Sequence, residues 1–143
     1  MDASDIIAII AIVVSVGSAI FQVFWEKTKE RNEEKTVLYK EAYKDIFLDE
    51  IPLAEKKIQY IQGLWEGAND MIECMRKIRL KSYFFKYVDD HFREEMKNIS
   101  QNIEDFLVTL EGEKLSNEKY RDKYDELEKK LSELYNTVLP KFY

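Results

Sequence analysis

The sequence predicts an all-α protein: an N-terminal transmembrane helix that continues into a cytoplasmic antiparallel helical bundle. Three observations lead there. Ile6 to Trp25 carry no formal charge, while all 22 Lys+Arg and every acid except Asp2 and Asp5 lie beyond them. Later segments repeat apolar residues at alternating spacings of three and four, which puts them on one face of a helix. No stretch shows the strict alternation of a half-buried strand, and 4 Gly and 2 Pro in 143 residues leave few turns for an all-β fold. The expected division is residues 1–25 as extracytoplasmic tip and transmembrane helix, 26–36 as a polar helical stalk, and 37–143 as the bundle.

Ile6 to Trp25 read IIAIIAIVVSVGSAIFQVFW. At ~1.5 Å rise per residue such a segment covers about 30 Å, the thickness of the hydrocarbon core of a bilayer. Phe21, Phe24 and Trp25 gather at its C-terminal end, where aromatic rings favour the membrane–water interface. A cleaved signal peptide needs a basic start, and Met-Asp-Ala-Ser-Asp is acidic. Basic residues set orientation: none precede the span, whereas Lys27, Lys29, Arg31 and Lys35 follow it. The N-terminus is therefore expected outside and the remainder in the cytoplasm, a compartment that keeps the lone thiol, Cys74, reduced.

Ser4, Ala8, Ala11, Ser15, Ser18 and Gln22 recur at spacings of four and three, a stripe of small and polar side chains down one helix face. Small residues let helices approach closely in lipid, and hydroxyl or amide groups bond across the contact. Three readings stand: a chance run of residues common in membrane helices, a packing seam for a homo-oligomer (dimer to tetramer), or the lining of a narrow pore with Ser15, Ser18 and Gln22 facing water.

Residues 26–36, EKTKERNEEKT, hold no apolar side chain and cannot bury a face. They are expected to continue the membrane helix as a solvated stalk, supported by Glu26–Lys29, Lys27–Glu30 and Arg31–Glu34 pairs. Four helical patterns follow. The first ends with Leu38, Ala42, Ile46 and Phe47, and Pro52 should block it. The second carries Ile58, Ile61, Trp65, Ala68, Ile72 and Met75, with Gly63 and Gly67 as oddities inside it. The third carries Val88, Phe92, Met96, Ile99, Ile103, Phe106 and Leu110 and closes at Gly112; the fourth follows a Ser116-Asn117 cap and carries Tyr120, Tyr124, Leu127, Leu131, Leu134 and Val138, with Pro140 beyond.

In an up-and-down arrangement the loop after the second helix returns near the membrane. That loop, residues 76–86, reads RKIRLKSYFFK, with Arg76, Lys77, Arg79, Lys81 and Lys86, no acid, and Tyr83, Phe84 and Phe85. It fits contact with anionic lipid headgroups, at ~1 kcal/mol per cation. It equally fits an anionic ligand such as a nucleotide or short oligonucleotide, cations on phosphates and rings on bases, or a solvated helix end whose cations answer the helix dipole.

Little else carries chemistry. His91 and Glu95 stand one turn apart, but two ligands do not make a metal site. Cys74 lacks a partner for a nucleophilic dyad, and no Walker loop, G-x-S-x-G, H-E-x-x-H or Rossmann glycine pattern occurs. No catalytic residue, metal or cofactor is expected, and the chain does not read as an enzyme. A net charge of -6 argues against a dedicated nucleic-acid coat.

An uncleaved N-terminal span with a small cytosolic helical domain resembles, as architecture over the whole chain, the small membrane effectors of bacterial anti-phage defence, the Hailong effectors among them. The resemblance implies an oligomeric single-pass channel in the cell inner membrane, kept closed by short DNA oligomers that bind its cytoplasmic side; it carries over no individual residue. The expected function is a homo-oligomeric membrane channel or membrane-disrupting effector gated through its cytoplasmic domain. The alternative is a membrane-anchored helical module that presents a face to a cytoplasmic protein partner and forms no pore.

Overall fold

A computed structural model describes residues 2–143. The chain is mostly helical and divides into two units, the first ending at Leu38 and the second comprising Tyr39–Tyr143.

The first unit is built from most of α1 (Ala3–Asp45). This helix is long and apolar enough to cross a membrane, with a mean hydropathy of 2.6 and none of its apolar window buried by the rest of the chain. A helix satisfies its backbone groups internally, which hydrocarbon demands of any spanning segment. The hydroxyls of Ser15 and Thr28 donate back to the carbonyls of Ala11 and Phe24 at 2.9 and 2.8 Å. The rings of Phe21 and Trp25 stack at 6.1 Å. The charged residues 26–36 remain in the same helix. Among the described residues the ion pair found there is Lys29–Glu33 at 4.0 Å, not the three pairs expected from spacing.

The second unit opens on the last turns of α1, which bury Tyr39 and Tyr43 where the sequence pointed to Leu38 and Ala42. Two further expectations fail here. Pro52 does not stop the helix: a π-helical turn, Ile46–Glu50, leads into α2 (Ile51–Lys57). The Ile51 amide donates to Ile46 O, a wide turn, and Pro52 falls in the first turn of α2, where a missing N–H costs no bond.

The predicted second helix is instead a β-hairpin followed by a shorter helix. Strands β1 (Gln59–Ile61) and β2 (Leu64–Glu66) pair antiparallel, with Tyr60 opposite Trp65. Gln62 and Gly63, with φ of 53° and 81°, form the connecting turn, the left-handed pair that a two-residue hairpin requires. Gly67, at φ 81°, approaches the backbone so closely that a Cβ there would overlap the Lys57 carbonyl. These glycines break the helical spacing that Ile58, Ile61, Trp65 and Ala68 mimic.

Helix α3 (Asn69–Ser82) takes up Arg76 to Ser82, and a 3₁₀ turn, Tyr83–Tyr87, takes up Lys86, so residues 76–86 are helical and not a loop. Helix α4 (Asp90–Leu110) starts at the Asp89 cap, which accepts the Phe92 amide, and is followed two residues after its end by Gly112, φ 80°. Helix α5 (Asn117–Val138) starts at Ser116, whose hydroxyl accepts the Lys119 amide. A last 3₁₀ turn covers Leu139–Phe142. Helix α4 packs against α3 and α5, burying Met75, Ile78, Met96, Ile103, Leu107 and Leu127 in a small helical bundle.

Candidate functional site

On α1, Ser4, Ala8, Ala11, Ser15, Ser18 and Gln22 lie in one unbroken helix, so their spacing places them along one side of it with only a slow drift about the axis. All six are exposed, as are the Ile, Val and Phe residues of the other faces. Ser15 meets its own donor need through Ala11, which lets the hydroxyl sit in an apolar surrounding or face a second helix.

The five cations of residues 76–86 do not form one free patch. Arg76 Nε and Nη1 donate to Glu104 Oε1 at 2.8 Å and Glu73 Oε1 at 2.9 Å, and Arg79 pairs with the other oxygen of Glu104. Burial works against the Glu104 carboxylate, but the bonds from the two guanidinium groups outweigh it and hold its pKa below the ordinary value. Lys77 Nζ reaches Glu50 Oε1 at 2.7 Å. Lys81 Nζ donates to the Ala42 carbonyl at 2.9 Å, closing the C-terminal end of α1, and keeps an uncompensated charge. Lys86 is exposed and lies 5.7 Å from the centre of the Tyr87 ring.

Between α3 and α4 a cavity of about 340 Å³ is lined by Arg79, Tyr83, Arg93, Lys97, Gln101 and Glu104. Arg93 is held by Asp90 and Glu94 and Arg79 by Glu104, and Asp105 also lines the space, which leaves Lys97 as the lining cation without an ion pair among the described residues. Arg93 and Lys97 lie outside the segment that the sequence singled out. His91 Nε2 lies 3.5 Å from Glu95 Oε1, on the exposed side of α4.

A polar junction that spacing did not reveal centres on Asp89. Its Oδ2 accepts the Tyr39 hydroxyl at 2.6 Å and Lys141 Nζ at 3.0 Å, while Oδ1 accepts the Phe92 amide at 3.2 Å. Burial opposes its charge, yet these bonds hold its pKa below the usual aspartate value. Beneath it the Tyr39 and Phe85 rings stack at 4.8 Å, and Phe92 meets both edge-on. Lys141 also sits 5.6 Å from the Tyr39 and Phe92 ring centres. The junction ties the end of α1, the start of α4 and the C-terminal turn together, and the sequence pattern assigned no role to Tyr39, Asp89 or Lys141.

Comparison with known proteins adds no relative: no family model, curated protein or solved structure matches the chain.

Proposed function

We propose that the protein is a homo-oligomeric single-pass membrane effector, acting as a channel or membrane-disrupting assembly, with its N-terminus outside and the unit Tyr39–Tyr143 in the cytoplasm. The observation that carries this reading is that an apolar helix of spanning length is wholly unburied by its own chain while presenting Ser15, Ser18 and Gln22 along one side. Lipid solvates the Ile, Val and Phe faces. Ser15 meets its donor need within the helix, but the Gln22 amide wants a partner in hydrocarbon, and packing against the same stripe of other copies supplies one. With enough copies the stripe encloses water, and Gln22 then lies at the cytoplasmic mouth. Orientation rests on Lys27, Lys29, Arg31 and Lys35, all on the C-terminal side of the span.

The test is membrane potential during induced expression. The native chain should depolarise cells, and Ser15→Leu combined with Ser18→Leu should abolish depolarisation while membrane insertion persists. Depolarisation unchanged in the inserted double variant would remove the pore.

A further inference from the structure

Four large side chains on the second unit stand in solvent beside one another in sequence: Leu80, Tyr83, Phe84 and Tyr87, which are 71, 61, 56 and 88 % exposed. Their spacing of three, four and seven residues across the end of α3 and the following 3₁₀ turn places them on one side of a continuous helical path. The other side is anchored. Ile78, Ser82 and Phe85 are buried, and Phe85 stacks on Tyr39 and meets Phe92 edge-on. The inward ring fixes the turn, and its neighbours are held outward as a preformed apolar ridge.

Charge distinguishes this ridge from an ordinary apolar patch. No acid occurs from residue 76 to residue 88. Arg76, Arg79 and Lys77 are neutralised by Glu104, Glu73 and Glu50, but Lys81 bonds only a backbone carbonyl and Lys86 lies against a ring, so both keep their charge. Tyrosine and phenylalanine rings flanked by uncompensated lysines match the interfacial layer of an anionic bilayer, where rings sit at headgroup level and ammonium groups meet phosphates. A chain anchored by residues 6–25 holds this unit at a high local concentration of lipid, so weak contacts suffice.

We propose that Leu80, Tyr83, Phe84 and Tyr87 form a second membrane contact, inserted into the interfacial layer of an anionic leaflet and steered there by Lys81 and Lys86. The cations Arg76, Lys77 and Arg79 brace the fold and do not touch lipid. The inference rests on residues 6–25 spanning the membrane and is independent of pore formation.

The experiment uses the full chain with Cys74→Ala, reconstituted in vesicles of phosphatidylethanolamine and phosphatidylglycerol that contain a nitroxide lipid, labelled in the headgroup region for positions 87 and 129 and deep in the acyl chain for position 14. A fluorophore is attached at Tyr87→Cys, at Lys129→Cys on α5, or at Val14→Cys in the span. Quenching at position 87 should exceed that at 129 at least twofold. It should fall to the level of 129 when Tyr83→Ser and Phe84→Ser are added, and persist when Arg76→Gln and Lys77→Gln are added. If position 14 is quenched and 87 is not quenched beyond 129, the contact does not exist. A blue-shifted emission at 87 that lipid nitroxide does not quench, and that dilution with empty vesicles removes, marks contact between copies and overturns the proposal. Absence of quenching at 14 removes the span, and this inference with it.

Discussion

The Tyr39 hydroxyl donates to Asp89 Oδ2 at 2.6 Å, while Tyr43, one turn further along α1, buries a hydroxyl with no partner. The two phenols share an aromatic cluster, with Tyr43 lying 5.8 Å from both Phe85 and Phe92. Opposite effects of the same substitution follow. Tyr39→Phe removes a charge-assisted bond and leaves Asp89 short of a donor, at about 1–3 kcal/mol. Tyr43→Phe removes an unmet donor and should be neutral or stabilising by up to about 1 kcal/mol. Thermal unfolding of the second unit, followed by near-ultraviolet dichroism in detergent, separates the two; equal losses would mean that the Asp89 junction adds nothing.

Acid should loosen the same unit. The carboxyl groups of Asp89 and Glu104 lie below their ordinary values of 3.8 and 4.5, so the folded state favours their charged forms. The stability they provide is whole above those ordinary values and is lost as pH falls through them toward the folded-state values. Asp89→Asn with Glu104→Gln should lower stability at neutral pH and flatten its decline below pH 4.5. At the other extreme burial raises Tyr39 and Tyr43 above their ordinary 10.0, so the neutral phenols stabilise the fold below that value and the contribution disappears as pH climbs past it. A variant whose acid limb matches the native one would contradict the assignment.

Two glycines with nearly the same φ should respond differently to a methyl group. Gly67 has φ 81° and the Lys57 carbonyl in the path of a Cβ; Gly112 has φ 80° and open space. Gly112→Ala should cost about 1 kcal/mol, the strain of a left-handed residue. Gly67→Ala adds a backbone clash and should cost more, by displacing β2 from α2. Comparable losses in unfolding midpoint would mean that the hairpin does not hold its backbone against Lys57.

Helices α4 and α5 were legible because pattern and punctuation agree: Phe92, Met96 and Ile103, or Leu127, Leu131 and Leu134, repeat on one face, and Ser116 and Gly112 mark the ends. The region 58–68 misled because Ile58, Ile61 and Trp65 fall at helical spacing by coincidence while their neighbours alternate weakly, whereas Ile72 and Met75 do lie buried on α3. The deciding signal was local: Gln62-Gly63 supplies the two positive-φ residues of a tight hairpin turn, and hairpin register outweighs a periodicity of so few residues. Pro52 misled because a wide turn ahead of it absorbs its missing amide. For the basic segment, residue types were readable but partners were not. Glu50 is 27 residues from Lys77 and Glu104 is 28 from Arg76, relations that only packing of α3 on the π-helical turn and on α4 creates. Tyr39 and Lys141, at 50 and 52 residues from Asp89, were hidden for the same reason.

Assembly through the polar face of α1 is tested most directly by disulfide crosslinking in native membranes, with single cysteines scanned along residues 4–25 in a Cys74→Ser background. The stripe is the contact surface if crosslinks peak at positions 8, 11, 15, 18 and 22, and that is the pattern expected of a homo-oligomer with Ser15, Ser18 and Gln22 at its seam. Peaks at 9, 13, 16 and 20 would turn the polar face away from the seam and contradict a central pore. No crosslink at any position would leave α1 a lone anchor.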